Sequence, residues 1–545
     1  MNTKKIIALI VFSCLTFYTF SQDLTKIKFT KQDSLRGSIT PERIWWDLTY
    51  YHLDIVVNPE KRTIKGSNEI KYTVIDSGSK MQIDLQKPLK LIKAEQDGRK
   101  LKIIKDGNAH FIELKSKQIK GSSKTLKVYY EGSPREAVRA PWDGGISWEK
   151  DKNGNHFIAS SCQGLGASVW WPNKDHMYDE VDSMLISVNV PKNLINVSNG
   201  RLVKIDEKLN SKTFHWAVKN PINNYGVNIN IGDYVNYSEI YNGEKGNLDV
   251  DYYVLSYNLE KAKVHFKDNT KMIEAFEHWF GPYPFYEDSY KLVQTPYLGM
   301  EHQSSITYGN KFLKGYLGRY LSNTGWGLKF DYIIIHEGGH EWFANNITYK
   351  DIADMWIHES FTTYSESLFL DYYYGPKASS EYIVGIRKNI RNDKKIIGTY
   401  NVNNKGSNDM YPKGANFIHT LRQLANDDEK WRQILRGLNK TFYHQTVTTK
   451  EIEDYISQNI GIDLSPIFNQ YLRDTRIPIL EYGYDGETLK YKWSNIVPKF
   501  KMPIEIIIDN QKIWIYPESE WKYKSLKFEN IKIDQNYYVN TKKLY

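Results

Sequence analysis

The chain has 545 residues, of which 41% are hydrophobic, and this length predicts about three domains of about 100–200 residues each. The formal net charge at pH 7 is +9, but the 73 Lys and Arg residues are scattered among 64 Asp and Glu residues. A nucleic-acid-binding surface needs a dense basic tract, so we expect no nucleic-acid partner.

The amino end has the order of a secretory signal peptide. Two lysines precede an apolar run from Ile6 to Phe20, so we expect residues 1–22 to be removed during export to the periplasm or the extracellular space. The run is short for a transmembrane helix, and no later stretch reaches the ~20 apolar residues that a membrane span requires. A lipoprotein anchored at Cys14 is the less favoured alternative, because Phe12 suits such a site poorly.

Residues 23–244 are predicted to form a β-rich amino-terminal domain. Segments such as Leu48 to Val57 and Ile64 to Ile75 are rich in β-branched and aromatic residues and are separated by turn-forming residues. Cys162 is the only cysteine beyond the predicted signal peptide, so we expect a buried thiol and no intrachain disulfide.

Helical spacing dominates residues 245–472, beginning with an uninterrupted helix over Leu259 to Phe280. Thr448 and Glu451 form a capping-box pattern that predicts the start of a later helix. Residues 473–545 return to short alternating segments, which predict a small carboxyl-terminal β domain. The expected fold class is therefore multidomain α+β.

The strongest chemical signal is the run His336-Glu337-Gly338-Gly339-His340. On a helix, histidines four residues apart project from one face and bind one zinc ion, while the intervening glutamate lies beside the metal. A chance match is the alternative for this short pattern alone. Two glycines within a helix cost about 1–2 kcal/mol relative to alanine, so close packing or metal binding should compensate for them.

Glu359 follows His340 after eighteen residues, at the start of a predicted helix. Two histidines and one glutamate leave a fourth zinc position open for water, as a hydrolytic site requires. Glu366 lies two helical turns further on, where it either orients a histidine ligand or remains a solvated surface residue. His358 points away from this face and is interpreted as a surface or packing histidine.

These residues resemble the alanyl-aminopeptidase family of gluzincins, zinc metallopeptidases whose relatives include leukotriene hydrolase-type enzymes. The resemblance rests on the H-E-x-x-H run, the eighteen-residue gap and the Trp-x-x-Glu-x-Phe setting of Glu359. Tyr51 to Ile55, Lys61 to Gly66 and Trp342 to Asn345 also look like segments of that family. The resemblance implies one zinc ion per chain, an N-terminal β saddle domain, a thermolysin-like, mostly helical catalytic domain and a β module after it.

A second family element is matched by Leu298-Gly299-Met300-Glu301-His302, which resembles the Gly-x-Met-Glu-Asn exopeptidase motif. By this resemblance, Gly299, Met300 and Glu301 bind substrate, and Glu301 pairs with the free α-ammonium. Gln163 matches the amino-domain residue that shares this amine site. Leu298 and His302 depart from the motif, so we expect an altered pocket.

Tyr411, in Tyr411-Pro412-Lys413-Gly414-Ala415, looks like the family's oxyanion-stabilising tyrosine. The resemblance implies a zinc-dependent aminopeptidase that cleaves peptides with a free amino end, with Glu337 as general base towards a zinc-bound water. A thermolysin-like endopeptidase shares the zinc triad, but Glu301, Gln163 and Tyr411 argue against it. A non-catalytic peptide-binding relative is disfavoured because every ligand and the base are present.

Overall fold

The computed structural model describes residues 28–544, so the predicted signal peptide and Cys14 lie outside the described residues. Two helices open the described chain: α1 (Lys31–Gly37) and α2 (Pro41–Ile44). Thr30 and Asp33 cap α1 reciprocally, since each side chain accepts a hydrogen bond from the other residue's backbone N–H.

The amino-terminal part of the chain is β-rich, as predicted, and its strands form three sheets. Its strands are β1 (Trp46–Asn58), β2 (Thr63–Val74), β3 (Lys80–Asp84), β4 (Lys90–Gln96), β5 (Arg99–Lys100), β6 (Lys102–Asp106), β7 (Ala109–Glu113), β8 (Ser123–Gly132), β9 (Gly145–Lys150), β10 (His156–Ser161), β11 (Ser183–Pro191), β12 (Ile195–Val197), β13 (Arg201–Glu207), β14 (Ser211–Val218) and β15 (Asn230–Gly232). The strand orders are β13-β14-β11-β1-β2-β8-β4-β5, β12-β15-β10-β9 and β3-β7-β6.

Burial alternates along β1 because successive side chains of a strand point to opposite sheet faces. Leu53, Ile55 and Val57 enter the core, whereas Asp54 and Val56 face solvent. β1 pairs antiparallel with β2 and parallel with β11, which places it in the middle of the largest sheet.

The unit that the family resemblance implies to be catalytic, named the catalytic unit for that reason, combines a mixed sheet with helices. Its strands are β16 (Tyr234–Gly243), β17 (Gly246–Leu255), β18 (Tyr290–Gln294), β19 (Gly299–Met300), β20 (Ile306–Tyr308), β21 (Ile347–Tyr349) and β22 (Gln445–Val447). Its helices are α3 (Leu259–His265), α4 (Lys267–Phe280), α5 (Tyr332–Gly339), α6 (Trp356–Tyr374), α7 (Pro376–Gly385), α8 (Pro412–Ala425), α9 (Asp428–Thr441), α10 (Thr449–Ile460) and α11 (Ser465–Leu472).

Two sequence-based predictions concern helices of this unit. The helix predicted over residues 259–280 is divided at Phe266, whose ring stacks on Tyr252 and Phe312 in the core. The expected capping box before α10 is confirmed, because Thr448 N donates to Glu451 Oε2 at 2.7 Å and Thr448 Oγ1 accepts from Glu451 N.

The predicted limit between residues 244 and 245 falls within the antiparallel hairpin of β16 and β17. The same sheet continues from β17 into β18 and β20 in a parallel arrangement. Sheet membership therefore associates β16 with the catalytic unit, and the domain limits stay a prediction.

The carboxyl-terminal β region has strands β23 (Ile479–Tyr484), β24 (Thr488–Ser494), β25 (Ile504–Ile508), β26 (Gln511–Ile515), β27 (Lys522–Ser525), β28 (Ile531–Ile533) and β29 (Asn540–Lys543). It shares one hydrophobic core with the catalytic helices. Tyr471 OH donates to Tyr538 O at 2.7 Å, and Tyr538 N donates to Thr420 Oγ1 at 2.9 Å. The three-part α+β architecture is thus confirmed.

Cys162 is a buried free thiol, as predicted. Within residues 28–544, no helix combines the length and the apolar character needed to cross a membrane.

Candidate metal centre and active site

The H-E-x-x-H run lies on α5, a short helix whose start is fixed by Asp331. The Asp331 carboxylate accepts hydrogen bonds from Ile333 N at 2.9 Å and Ile334 N at 3.3 Å. His265 Nε2, 2.6 Å from the second carboxylate oxygen, holds Asp331 in place. His336 lies in the last turn of α5 and His340 directly follows it, so both imidazoles point to one side.

The paired glycines let α5 pack closely against its neighbours. A side chain at Gly338 would overlap the end of Met272 on α4, and a Cβ at Gly339 would lie 2.6 Å from Ser365 Oγ on α6. The close approach of three helices therefore offsets the helix-propensity cost of these glycines.

His336, His340 and Glu359 converge at the centre of the catalytic unit. Glu359 Oε2 lies 3.7 Å from His336 Nε2 and 3.4 Å from His340 Nε2. All three side chains are buried, and their ligand atoms lie within 4.8 Å of one another. Sequence reasoning named each of them, and the structure brings them together.

This set of donors fits a zinc ion. Among the described residues, Glu359 Oε2 is a buried carboxylate oxygen without a hydrogen-bond partner. A buried charged oxygen without a partner is costly, and a cation between it and the two imidazoles would remove that cost. Two histidines and a carboxylate are also the ligand type of hydrolytic zinc sites.

The outer nitrogens of both histidines are held by the protein. His336 Nδ1 lies 2.8 Å from Glu366 Oε1, and His340 Nδ1 lies 3.0 Å from Phe343 O. With the protons on Nδ1, both Nε2 atoms keep a lone pair for a metal. Glu366 is buried and also accepts from Tyr382 OH, so it is not a solvated surface residue.

Glu337 lies beside the histidines and faces Gly299 at the start of β19. A Cβ on Gly299 would lie 2.5 Å from Ile333 Cγ2 and 3.2 Å from Glu337 Oε1, so only glycine fits there without displacement. Burial and the nearby Glu301 carboxylate raise the pKa of Glu337 to about 7.

Glu301 and Gln163 meet next to the metal ligands. Gln163 Nε2 donates to Glu301 Oε1 at 2.6 Å and to Glu359 Oε1 at 3.0 Å. Gln163 follows β10, so the amino-terminal domain reaches the catalytic centre. Tyr225 OH also donates to Glu301 Oε1 at 3.2 Å, a contact that no sequence pattern indicated. Burial raises the pKa of Glu301.

Tyr411 immediately precedes α8, and its ring stacks near His336 with 6.1 Å between centroids. Burial and the Glu359 carboxylate raise the pKa of Tyr411 well above its usual value, so its hydroxyl keeps the proton. His302 is fully buried, and burial lowers its pKa to about 3. His358 is also a packing residue, since its Nε2 accepts from Tyr349 N at 2.9 Å.

One pocket joins the metal-binding residues to the other groups of the site. Besides the metal ligands, Glu337, Tyr411, Gln163 and Glu301, its walls include Gly299 and Met300. The walls also contain apolar and aromatic residues that sequence reasoning did not single out: Pro141, Trp142, Tyr316, Tyr332 and Ile333. Leu298 contributes to the same wall in place of the motif's first glycine.

Two family descriptions match the chain. Residues 48–225 match the peptidase M1 N-terminal domain, and residues 264–471 match the peptidase family M1 domain. Together these ranges hold most of the amino-terminal strands, the three metal-binding candidates and Glu337.

Curated relatives are distant in sequence. The chain is 22% identical to the leucyl aminopeptidase of Saccharolobus solfataricus, across 73% of this chain and 50% of that protein. It is also 22% identical to the leukotriene A-4 hydrolase of Xenopus laevis, across 66% of this chain and 61% of that protein. The chain spans about half the length of the first of these relatives.

A solved structure has the same fold. An M1 zinc metallopeptidase variant from Deinococcus radiodurans, bound to a Tyr-Ser-Ala substrate, superposes with a TM-score of 0.67 at 20% identity. The match covers 78% of this chain and 94% of that chain. At this identity the likeness establishes the fold alone.

Proposed function

Because the chain belongs to peptidase family M1, we propose that it is a zinc-dependent aminopeptidase that removes residues one at a time from the free amino end of peptides. One observation carries this proposal. The carboxylate of Glu301 is buried, and its oxygen lies within 4.8 Å of ligand atoms of both Glu337 and His340. An anion so close to the reacting groups leaves room for one residue between the substrate amine and the scissile bond.

The cofactor is zinc, which the family and the buried His336, His340 and Glu359 set support. When bound, zinc lowers the pKa of a water molecule to about 7 and polarises the scissile carbonyl. Glu366 keeps His336 in the tautomer that presents Nε2 to the metal, through the 2.8 Å contact with Nδ1.

Glu337 and Tyr411 supply the proton chemistry. The Glu337 carboxylate takes a proton from the attacking water and later gives it to the nitrogen of the leaving amine. Burial, which raises the pKa of Glu337, favours uptake of that proton by the carboxylate. The Tyr411 hydroxyl, kept protonated by its raised pKa, donates a hydrogen bond to the carbonyl oxygen as negative charge develops there.

Amine recognition comes from Glu301 together with Gln163. The Glu301 carboxylate pairs with the substrate ammonium, and a buried charge pair of this kind is lost when the amine is acetylated. The Gln163 carboxamide holds the carboxylate at 2.6 Å and completes the site with its own oxygen as an acceptor. A thermolysin-like endopeptidase needs an open cleft at this point, where Glu301 and Tyr225 meet.

The test is hydrolysis of chromogenic aminoacyl substrates, each offered with a free and with an acetylated amine, by zinc-loaded protein. Glu337→Gln serves as the blank. We expect only the free-amine forms to be cleaved and the variant to be inactive. Equal cleavage of acetylated forms would contradict the role of Glu301. No cleavage of any substrate would refute the proposal that the protein is an aminopeptidase.

The order of residues at the amino end supports a further proposal, export with removal of residues 1–22. The two lysines, the apolar run Ile6 to Phe20 and the absence of a later apolar stretch of ~20 residues support it. Sequencing of the mature amino terminus is the measurement. A protein that retains Met1 in the cytoplasm would overturn the proposal.

A further inference from the structure

Helix α1 lies outside both family-matched ranges, which begin at residue 48, yet it packs beside the amine site. Its amino end is anchored on the amino-terminal domain. Lys31 pairs with Asp106, and Gln32 Nε2 donates to Asp106 Oδ1 at 2.8 Å. Its other end, with Arg36 and Gly37, points towards the turn that carries Gln163.

Residues 162–166 form that turn, closed by a hydrogen bond from Gly166 N to Cys162 O at 2.7 Å. The Arg36 guanidinium lies directly against it. Arg36 Nε donates to Leu165 O at 3.4 Å, and a side chain at Gly166, where φ is +88°, would collide with Arg36 Nη2. The absence of a Cβ at Gly166 therefore makes the space that the guanidinium occupies.

Asp175 fixes the guanidinium in this position. Arg36 Nη2 lies 3.3 Å from Asp175 Oδ1, and Arg36 Nη1 donates to the Asp175 carbonyl oxygen. The Asp175 side chain is 5% exposed and the Arg36 side chain 22% exposed, so this ion pair is largely removed from water. A planar guanidinium with several bonded nitrogens is a rigid support, unlike a lysine ammonium.

The catalytic unit contacts the turn from another side. Asn403 Nδ2 donates to Gly164 O at 3.4 Å, and Gly37 of α1 packs directly on the backbone of Val402 and Asn403. Helix α1 thus touches both domains at the point where Gln163 crosses from one to the other. Arg36, Gly37, Gln163 and Asn403 line one small pocket beside this turn.

We propose that α1 holds the turn in the position that brings Gln163 into contact with Glu301. Arg36 is the positioning residue of α1 for recognition of the substrate amine. The inference rests on the proposed function, since Gln163 acts through the Glu301 carboxylate. Arg36 touches neither substrate nor metal ligands in this account. Loss of Arg36 would let the turn relax, weaken the 2.6 Å contact between Gln163 and Glu301, and leave the proton-transfer groups in place.

The experiment compares Arg36→Met with Lys31→Met in the full-length zinc enzyme. Lys31→Met removes the ion pair of the same helix at its far end, so it reports general loosening of α1. For Arg36→Met we expect KM for free-amine substrates to rise about tenfold, the size of one charge-assisted hydrogen bond, with kcat within about twofold. For Lys31→Met we expect an unchanged KM, and for both variants an unchanged zinc content.

The same substitution in Gln163→Ala protein distinguishes a positioning role of Arg36 from a general loss of structure. In Gln163→Ala protein, Arg36→Met should raise KM no further, because the residue that it positions is absent. An unchanged KM in Arg36→Met, or an equal rise in the Gln163→Ala background, would overturn the inference. If Arg36→Met does not fold, Arg36→Lys replaces it, with an expected rise of about threefold and the same refuting result. Wild-type protein inactive on every free-amine substrate would instead refute the proposed function.

Discussion

Replacing Glu366 by glutamine keeps the size of the side chain but removes the charge that faces His336. The contact is 2.8 Å long, and the two side chains are 1% and 7% exposed, so little water replaces the lost interaction. The glutamine side-chain oxygen can still accept a hydrogen bond from His336 Nδ1, and its amide nitrogen can still contact Tyr382 OH. Substitution of such outer partners weakens metal binding about 10–100-fold, or about 1.4–2.7 kcal/mol.

The assay is competition for zinc against a fluorescent chelator at fixed pH, with apo protein prepared identically for each form. Glu429→Gln is the matched control, because Glu429 pairs with Arg432 on the exposed face of α9. We expect weaker zinc binding in Glu366→Gln and wild-type affinity in the control. An affinity within twofold of wild type for Glu366→Gln would refute the argument that this carboxylate tunes His336.

Three further substitutions test the cavity. Glu337→Gln should lower kcat by about 100–10,000-fold while zinc content stays at one per chain, and a kcat near that of the wild type would remove Glu337 as the base. Tyr411→Phe should lower kcat by about 100–1,000-fold with KM within about twofold, whereas a rise in KM alone would assign Tyr411 to ground-state binding. Gly299→Ala places a Cβ 2.5 Å from Ile333 Cγ2 and 3.2 Å from Glu337 Oε1, so we expect lower kcat and a lower melting temperature. Wild-type values for both quantities would show that β19 and Ile333 can move apart without cost.

The parts of the site that were predictable from sequence depend on local spacing. His336 and His340 are one helical turn apart, so their shared direction follows from helix geometry alone. Glu359 and Glu366 lie on one helix, and the two-turn interval between them brings Glu366 to the outer nitrogen of His336. The family resemblance added Gln163, Glu301 and Tyr411, which no periodicity connects to the triad.

The remaining contacts depend on tertiary packing between distant segments. Tyr225 reaches Glu301 from a segment 76 residues away, and Arg36 supports Leu165 across 129 residues. Neither has a distinctive sequence setting, because one tyrosine among 41 and one arginine in a short helix carry no pattern. The break at Phe266 was missed for a similar reason, since its ring stacks on residues outside the helix and tertiary packing overrides local propensity.

Digestion of an unmodified peptide of defined sequence, followed in time by mass spectrometry, tests most directly whether this enzyme is an aminopeptidase. The account predicts a ladder of products, each one residue shorter at the amino end, and an intact peptide when its amine is acetylated. Fragments from internal bonds, or equal degradation of the acetylated peptide, would contradict the role of Glu301 and favour the endopeptidase.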